Sequence, residues 1–143
     1  MILLNTNRFG TIERPEESVL RFPNGIFGFE PCDRWLLLSD ANHGALFWLQ
    51  SVDQPELSLA VVDPREFTAD FTVHVRAGQL KQIGNDQLVV LSIVTGCGER
   101  LTLNLRHPLL IDPVSSQGCQ IIARSQPIEF ELPLHALAAK QSA

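Results

Sequence analysis

Leu88-Val89-Val90-Leu91-Ser92-Ile93-Val94, followed by the turn Thr95-Gly96-Cys97-Gly98-Glu99 and then Leu101-Thr102-Leu103-Asn104-Leu105-Arg106, decides the fold. The first run is apolar at odd and even positions alike and rich in β-branched residues, the pattern of a strand covered on both faces. The last alternates apolar with polar residues, as a strand does when it buries one face and wets the other. Two glycines between them supply backbone freedom for a hairpin. Phe71-Thr72-Val73-His74-Val75 repeats the alternation. Outward from this core, Ser18 to Phe22, Trp35 to Ser39, Leu46 to Ser51 and Leu57 to Asp63 read as short strands on one side. Leu109 to Ile111, Cys119 to Ala123 and Ile128 to Leu132 follow on the other, separated by Pro, Gly, Asn and Asp clusters. Roughly nine to eleven short strands at this spacing predict a mostly β protein, an antiparallel barrel or sandwich. Helix is confined to Ala77 to Ile83 and to a tail, Leu134 to Lys140, which is too short to hold without a surface to dock on.

At 143 residues the chain is the size of one domain, and such a domain buries roughly 68% of its unfolded surface, enough for a core without metal or disulfide. No internal repeat, low-complexity stretch or linker divides it, so residues 1–143 are expected to form one β domain, its core at 2–132 and a tail at 133–143. A net charge of −5 argues against direct contact with a nucleic-acid backbone, which needs clustered cations. Met1-Ile2-Leu3-Leu4 lacks the cationic start of a signal peptide, and no run approaches the ~20 apolar residues that cross a bilayer. The expectation is a cytoplasmic protein. Cys32, Cys97 and Cys119 are odd in number and share no metal-binding spacing, so free thiols are expected, with no metal and no cofactor.

Chemistry is hard to find. His43, His74, His107 and His135 lie in separate segments without the spacing of a metal motif. Ser39, Ser51 and Ser92 lack a nucleophile elbow, and Cys97 lacks an evident basic partner. Acidic residues gather at Glu13, Glu16 and Glu17, at Asp63, Glu66 and Asp70, and at Glu129 and Glu131. Each group reads first as a solvated edge; two of them on one face would attract a basic protein and raise its association rate.

Three islands carry more. In Phe22-Pro23-Asn24-Gly25-Ile26-Phe27-Gly28-Phe29 two glycines bracket a turn, read from the residues as a tight turn whose apolar side chains cap the core; it lacks the lysine and helix start that a phosphate loop needs. In Phe47-Trp48-Leu49-Gln50-Ser51-Val52-Asp53, alternation places Phe47, Leu49 and Ser51 on one face and Trp48, Gln50 and Val52 on the other. If the first face is core, Trp48 and Gln50 look outward as an aromatic and an amide suited to a protein interface. If a second layer covers the strand, they do not. In Thr102-Leu103-Asn104-Leu105-Arg106-His107-Pro108, Asn104 is a poor strand former on a polar face; it either caps a neighbouring loop or offers its amide to a partner.

Together these islands resemble the flagellar assembly factor FliW family. Phe22, Gly25, Ile26, Gly28 and Phe29 match its Phe-x-x-Gly-Ile-x-Gly-Phe pattern, and Phe47 to Ser51 its Phe-x-x-Leu-Gln-Ser string, continued by Asp53, Pro55, Asp63 and Pro64. Thr102, Asn104, Leu105 and Pro108 match a third motif, and Gly118 with Gln120 a late Gly-x-Gln. Leu59, His107 and Asp112 depart from the family pattern. The resemblance covers about Ile2 to Leu132 and implies a binding protein, not an enzyme, monomeric when free. The partners it implies are CsrA, an RNA-binding translational regulator that represses flagellin synthesis, and flagellin. Binding to CsrA would relieve that repression, and flagellin would capture the factor in turn. The contact residues it implies are Trp48, Gln50, Ser51, Asp53, Asp63 and Asn104, with Phe22, Gly25, Ile26, Gly28, Phe29, Pro64 and Pro108 setting shape. A small-ligand or glycan-binding barrel with Trp48 as a stacking platform is the alternative, and a hydrolase assembled in space a third.

Overall fold

The structure, a computed structural model, describes residues 1–72, 88–97, 99–133 and 136–137. The expected helix at Ala77 to Ile83, residues Val73 to Val75 of one expected strand, and most of the tail lie outside the described residues. Eleven strands are present among those described: β1 (Ile2–Thr6), β2 (Gly10–Arg14), β3 (Leu20–Arg21), β4 (Arg34–Ser39), β5 (Phe47–Ser51), β6 (Ser58–Val62), β7 (Val89–Cys97), β8 (Arg100–Leu103), β9 (Leu109–Asp112), β10 (Gln117–Gln120) and β11 (Phe130–Pro133). Seven of them, in the order β7-β6-β5-β4-β3-β10-β9, close into a ring because β9 pairs back onto β7. The expected antiparallel barrel is therefore the fold, with one parallel joint where Gln117 of β10 meets Arg21 of β3. No helix among the described residues is long and apolar enough to cross a membrane.

Alternation along each strand sorts the side chains into three clusters. Trp35 of β4, Leu49 of β5, Leu59 and Val61 of β6, Leu91 of β7, and Leu109 and Ile111 of β9 point inward and fill the ring with Phe22 and Ile26. The intervening residues Val62, Val90 and Leu110 point outward, where Leu101 and Leu103 of β8 cover them. That is why β7 is apolar on both faces: one faces the ring interior and the other a second layer built from β8 and β11. On the opposite flank, Leu36 and Leu38 of β4 point outward against Leu4 of β1 and Val19.

Several boundaries differ from the sequence pattern for local reasons. The β7–β8 hairpin pairs as far as Cys97 with Arg100, so its turn is tighter than the Thr95–Glu99 loop that the two glycines suggest. β8 ends at Leu103 and not Arg106, because the chain bends at Arg106 and His107, where the His107 amide turns back to donate to Asn104 Oδ1. β10 starts two residues earlier than expected, and Phe71 and Thr72 lie outside any strand. The β1–β2 hairpin has no counterpart in the sequence reading. Thr6 holds its turn by donating from Oγ1 to the carbonyl of Gly10 (2.8 Å) and accepting from the amide of Phe9 (2.8 Å).

Candidate functional site

β6 and β7 pair at only two positions, Val62 with Ser92 and Val61 with Ile93. Beyond them β7 continues with β8, while β6 stays with β5. Where the two strands part lies an open groove of about 670 Å³, floored by Leu59, Ala60, Ile93 and Val94. Trp48 closes one end, and Phe27, Phe29, Asn104, His107 and Gln120 build the other. Six segments spread along the sequence thus meet at one concavity.

The Trp48 end is held by polar clamps. Trp48 Nε1 donates to Asp40 Oδ1 (3.0 Å), and Asp40 Oδ2 lies 3.0 Å from His43 Nδ1. The indole bond, helped by His43 and by the Asn42 amide, holds the Asp40 carboxyl below its usual value against the opposing effect of burial. The Arg8 guanidinium stacks on the indole at 3.9 Å from the ring centroid, a cation–π contact, while its Nε donates to Ser58 Oγ (3.0 Å). Phe9 meets the same ring edge-on.

The other end begins with a loop whose shape is set by sterics. Phe22 and Ile26 are fully buried. Gly25 has φ +77°, and a Cβ there would stand 2.9 Å from the Glu30 Cα; Gly28 has φ +89°. The loop therefore turns back on itself, with Ile26 inside and Phe27 left 51% exposed at the tip. The Phe27 ring packs edge-on against His107, centroids 5.5 Å apart. His107 is held in turn by Asn104, whose Oδ1 accepts from the His107 amide (3.1 Å) and lies 3.3 Å from its Nδ1.

The residues singled out from sequence divide into three groups. Trp48, Asn104 and Phe29 line the groove. Asn104 also acts as the loop cap that its residue type suggested. Gln50 and Ser51 do not reach it. Both are fully buried: of the two alternatives for the Trp48 and Gln50 face, Gln50 takes the covered one, and neither it nor Ser51 is the outward contact that the resemblance implied. The chain after β5 folds back over the Gln50 face, and its amide Nε2 donates to the carbonyls of Ser51 (3.0 Å), Pro55 (2.9 Å) and Leu57 (3.1 Å), while Ser51 Oγ accepts from the Gln54 amide. Asp53 and Asp63 sit at the surface but engaged within the chain. Asp53 accepts from the amides of Asp33 and Arg34 and from the Arg34 guanidinium (2.7 Å). Partial burial pushes its carboxyl upward, but the Arg34 side chain and the two amides outweigh it and leave it below the usual value. Asp63 caps the 3₁₀ turn Pro64–Glu66 by accepting from the Arg65 amide, and pairs with the Arg65 guanidinium (2.9 Å). Pro64 and Pro108 are buried, and the Pro108 carbonyl accepts from the Ile121 amide.

Phe27, His107 and Gln120 are groove residues that the sequence reading did not place at the site. No local signal separates Phe27 from Ile26, which lies between the same two glycines and is fully buried. Among the described residues no set of three or more His, Cys, Asp and Glu is placed to hold a metal.

The groove draws residues from all three motif islands of the sequence. A sequence profile of the FliW protein family matches residues 3–134. The chain belongs to the FliW family. The flagellar assembly factor FliW of Caldanaerobacter subterraneus is similar at 34% identity over 125 residues, covering 83% of each chain. Flagellar assembly factor FliW 2 of Desulfotalea psychrophila is 30% identical over 131 residues, covering 89% of this chain and 87% of its own. A crystal structure of the flagellar assembly factor FliW superposes with a TM-score of 0.82 at 25% identity, covering 93% of this chain and 96% of that one. Fold and family agree.

Proposed function

We propose that this flagellar assembly factor is a cytoplasmic, non-enzymatic partner switch. It binds the translational regulator CsrA, weakens CsrA's hold on RNA and so relieves repression of flagellin translation; flagellin then captures it and frees CsrA to repress again. The observation that supports this reading best is the convergence of the family's motifs on one surface groove with an exposed aromatic at one end and a clamped tryptophan at the other, the composition that protein interfaces favour. Trp48, Asn104 and Phe27 are its contact residues in this reading, with Asp53 and Asp63 at the surrounding surface and Gln50 and Ser51 acting from beneath by holding β5. The free chain is a monomer.

A switch of this kind requires that the two protein complexes exclude one another, and that RNA weaken CsrA binding by the same factor by which this chain weakens RNA binding. Size-exclusion chromatography of the chain with CsrA from the same organism, then with flagellin-leader RNA, then with flagellin, tests it. A complex that excludes RNA and is dissolved by flagellin is expected. No complex with either protein sinks the reading.

One observation favours a second reading. The groove volume lies in the range of small-molecule sites, with an aromatic wall and a few polar groups. A small-ligand or glycan binder would show a ligand-dependent rise in melting temperature that Trp48→Ala removes.

A further inference from the structure

We propose that Gln120 is a positioning residue for partner binding. Its side-chain amide joins the Phe27 tip to the His107 loop and so presents Phe27 as a preformed aromatic anchor. The inference rests on the groove being the partner site.

Gln120 is the last residue of β10, and its two ends meet two different loops. Its Oε1 accepts from the Phe27 amide at 2.7 Å, and its Nε2 donates to the His107 carbonyl at 3.0 Å. The first partner is 93 residues away in sequence and the second 13. One planar group thus fixes the distance between two loops that share the edge-on contact of the Phe27 and His107 rings. Gly118, two residues earlier, lies on the same side of β10 by strand alternation. There it meets the Phe22 ring so closely that a Cβ would stand 2.5 Å from Phe22 Cζ. β10 therefore grips the Phe22–Phe29 loop twice, once by shape at its buried start and once by hydrogen bond at its exposed tip.

The division matters for what Gln120 does. Burial of Phe22 and Ile26 and the two positive-φ glycines already set the course of the loop. What they leave free is the orientation of a half-exposed phenylalanine, and an anchor that is ordered before binding spares the complex the cost of ordering it. Gln120 is half-buried at the groove rim, where it supports the tip and adds little to the core.

The test compares Gln120→Met, which keeps length and loses both bonds, with Gln120→Glu, which keeps the acceptor for Phe27 and loses the donor for His107. Both are measured against purified CsrA and flagellin of the same organism, with amide exchange of Phe27 followed by NMR. Gln120→Met is expected to keep its unfolding midpoint close to wild type, to expose the Phe27 amide to fast exchange and to weaken capture by about tenfold, the scale of losing one contributing interface residue. Gln120→Glu is expected to retain the slow Phe27 amide and an intermediate affinity. Adding Phe27→Ala to Gln120→Met should cost no further affinity, because the two act through one contact. Full affinity in Gln120→Met, or a double mutant whose losses simply add, overturns the role of Gln120 alone. A wild-type chain that captures neither protein overturns the reading beneath it, and this role with it.

Discussion

The corner that follows β5 and the wall at the far end of the groove are built with the same chemistry and used in opposite ways. At each, a glutamine side-chain amide bonds backbone groups and ties the chain into a fixed shape, locally for Gln50 and between distant loops for Gln120. Gln50 does so in full burial, stitched to three carbonyls with Ser51 beside it and Asp53 closing the outside against Arg34. Gln120 does so at the rim, beneath a phenylalanine that the fold leaves half exposed. The first arrangement turns its amide and hydroxyl inward and leaves only Asp53 at the surface; the second holds a side chain out. The string Phe47-Trp48-Leu49-Gln50-Ser51 therefore contributes one wall residue, Trp48, and otherwise a buried corner.

The largest effect should come from breaking the corner. Gln50→Ala takes one donor group away from three carbonyls at a buried to half-buried corner and should destabilise the fold by about 3 kcal/mol in urea unfolding. A loss of only a few tenths would mean that the corner is not the interior stitch described here. Next comes the shape contact under the wall. Gly118→Ala drives a Cβ into the Phe22 ring and should cost about 2 kcal/mol as an overpacked core does. Because it shifts the loop that carries Phe27, it should also weaken partner capture, which Gln50→Ala at a temperature where it is still folded should do less. Phe27→Ala inverts the pattern: stability within about 0.5 kcal/mol of wild type, as for a surface change, with roughly tenfold weaker capture, as for an interface anchor. A strongly destabilised Phe27→Ala would erase the contrast between the two regions.

The smallest effect concerns pH. The folded-state carboxyl of Asp53 is held below the ordinary value of 3.8, so the stability it contributes is complete above that value and is lost as pH falls through the lower folded value. Asp53→Asn should therefore be less stable than wild type at neutral pH by under about 1 kcal/mol, as befits a partly exposed ion pair. The gap should narrow only below pH 3.8. Urea midpoints of the two proteins across that acid range measure it; a gap already shrinking near pH 6 would assign the effect to another group.

Much of the barrel could be read from local pattern, because strands that face a core on one or both sides must alternate or run apolar. Leu88 to Val94 and Leu101 to Leu103 did both, and the structure gives each its expected coverage. The β1–β2 hairpin was harder to see, since Ile2-Leu3-Leu4 does not alternate and Leu3 is left exposed. The site was less legible still. Alternation tells which side of a strand a residue is on, and Gln50 does share the side of Trp48. It does not tell that the following five residues fold back over one of them and not the other. Gln120 and Phe27 lie 93 positions apart, and no pattern within either segment announces a hydrogen bond between them. Asn104 was readable because its partner, His107, is three residues away.

The ring of strands carries one consequence more. Six of its seven joints are antiparallel ladders of two to five registered pairs, while β3 and β10 meet through Arg21 and Gln117 alone, backed by the Arg21 amide on the Ser116 carbonyl. A closed barrel has no edge to fray, so its breathing is drawn to its thinnest seam. That seam borders Phe22 and the loop that ends at the groove, so where strand pairing is thinnest the ring is closed by the Phe22–Gly118 contact and the Gln120–Phe27 hydrogen bond instead.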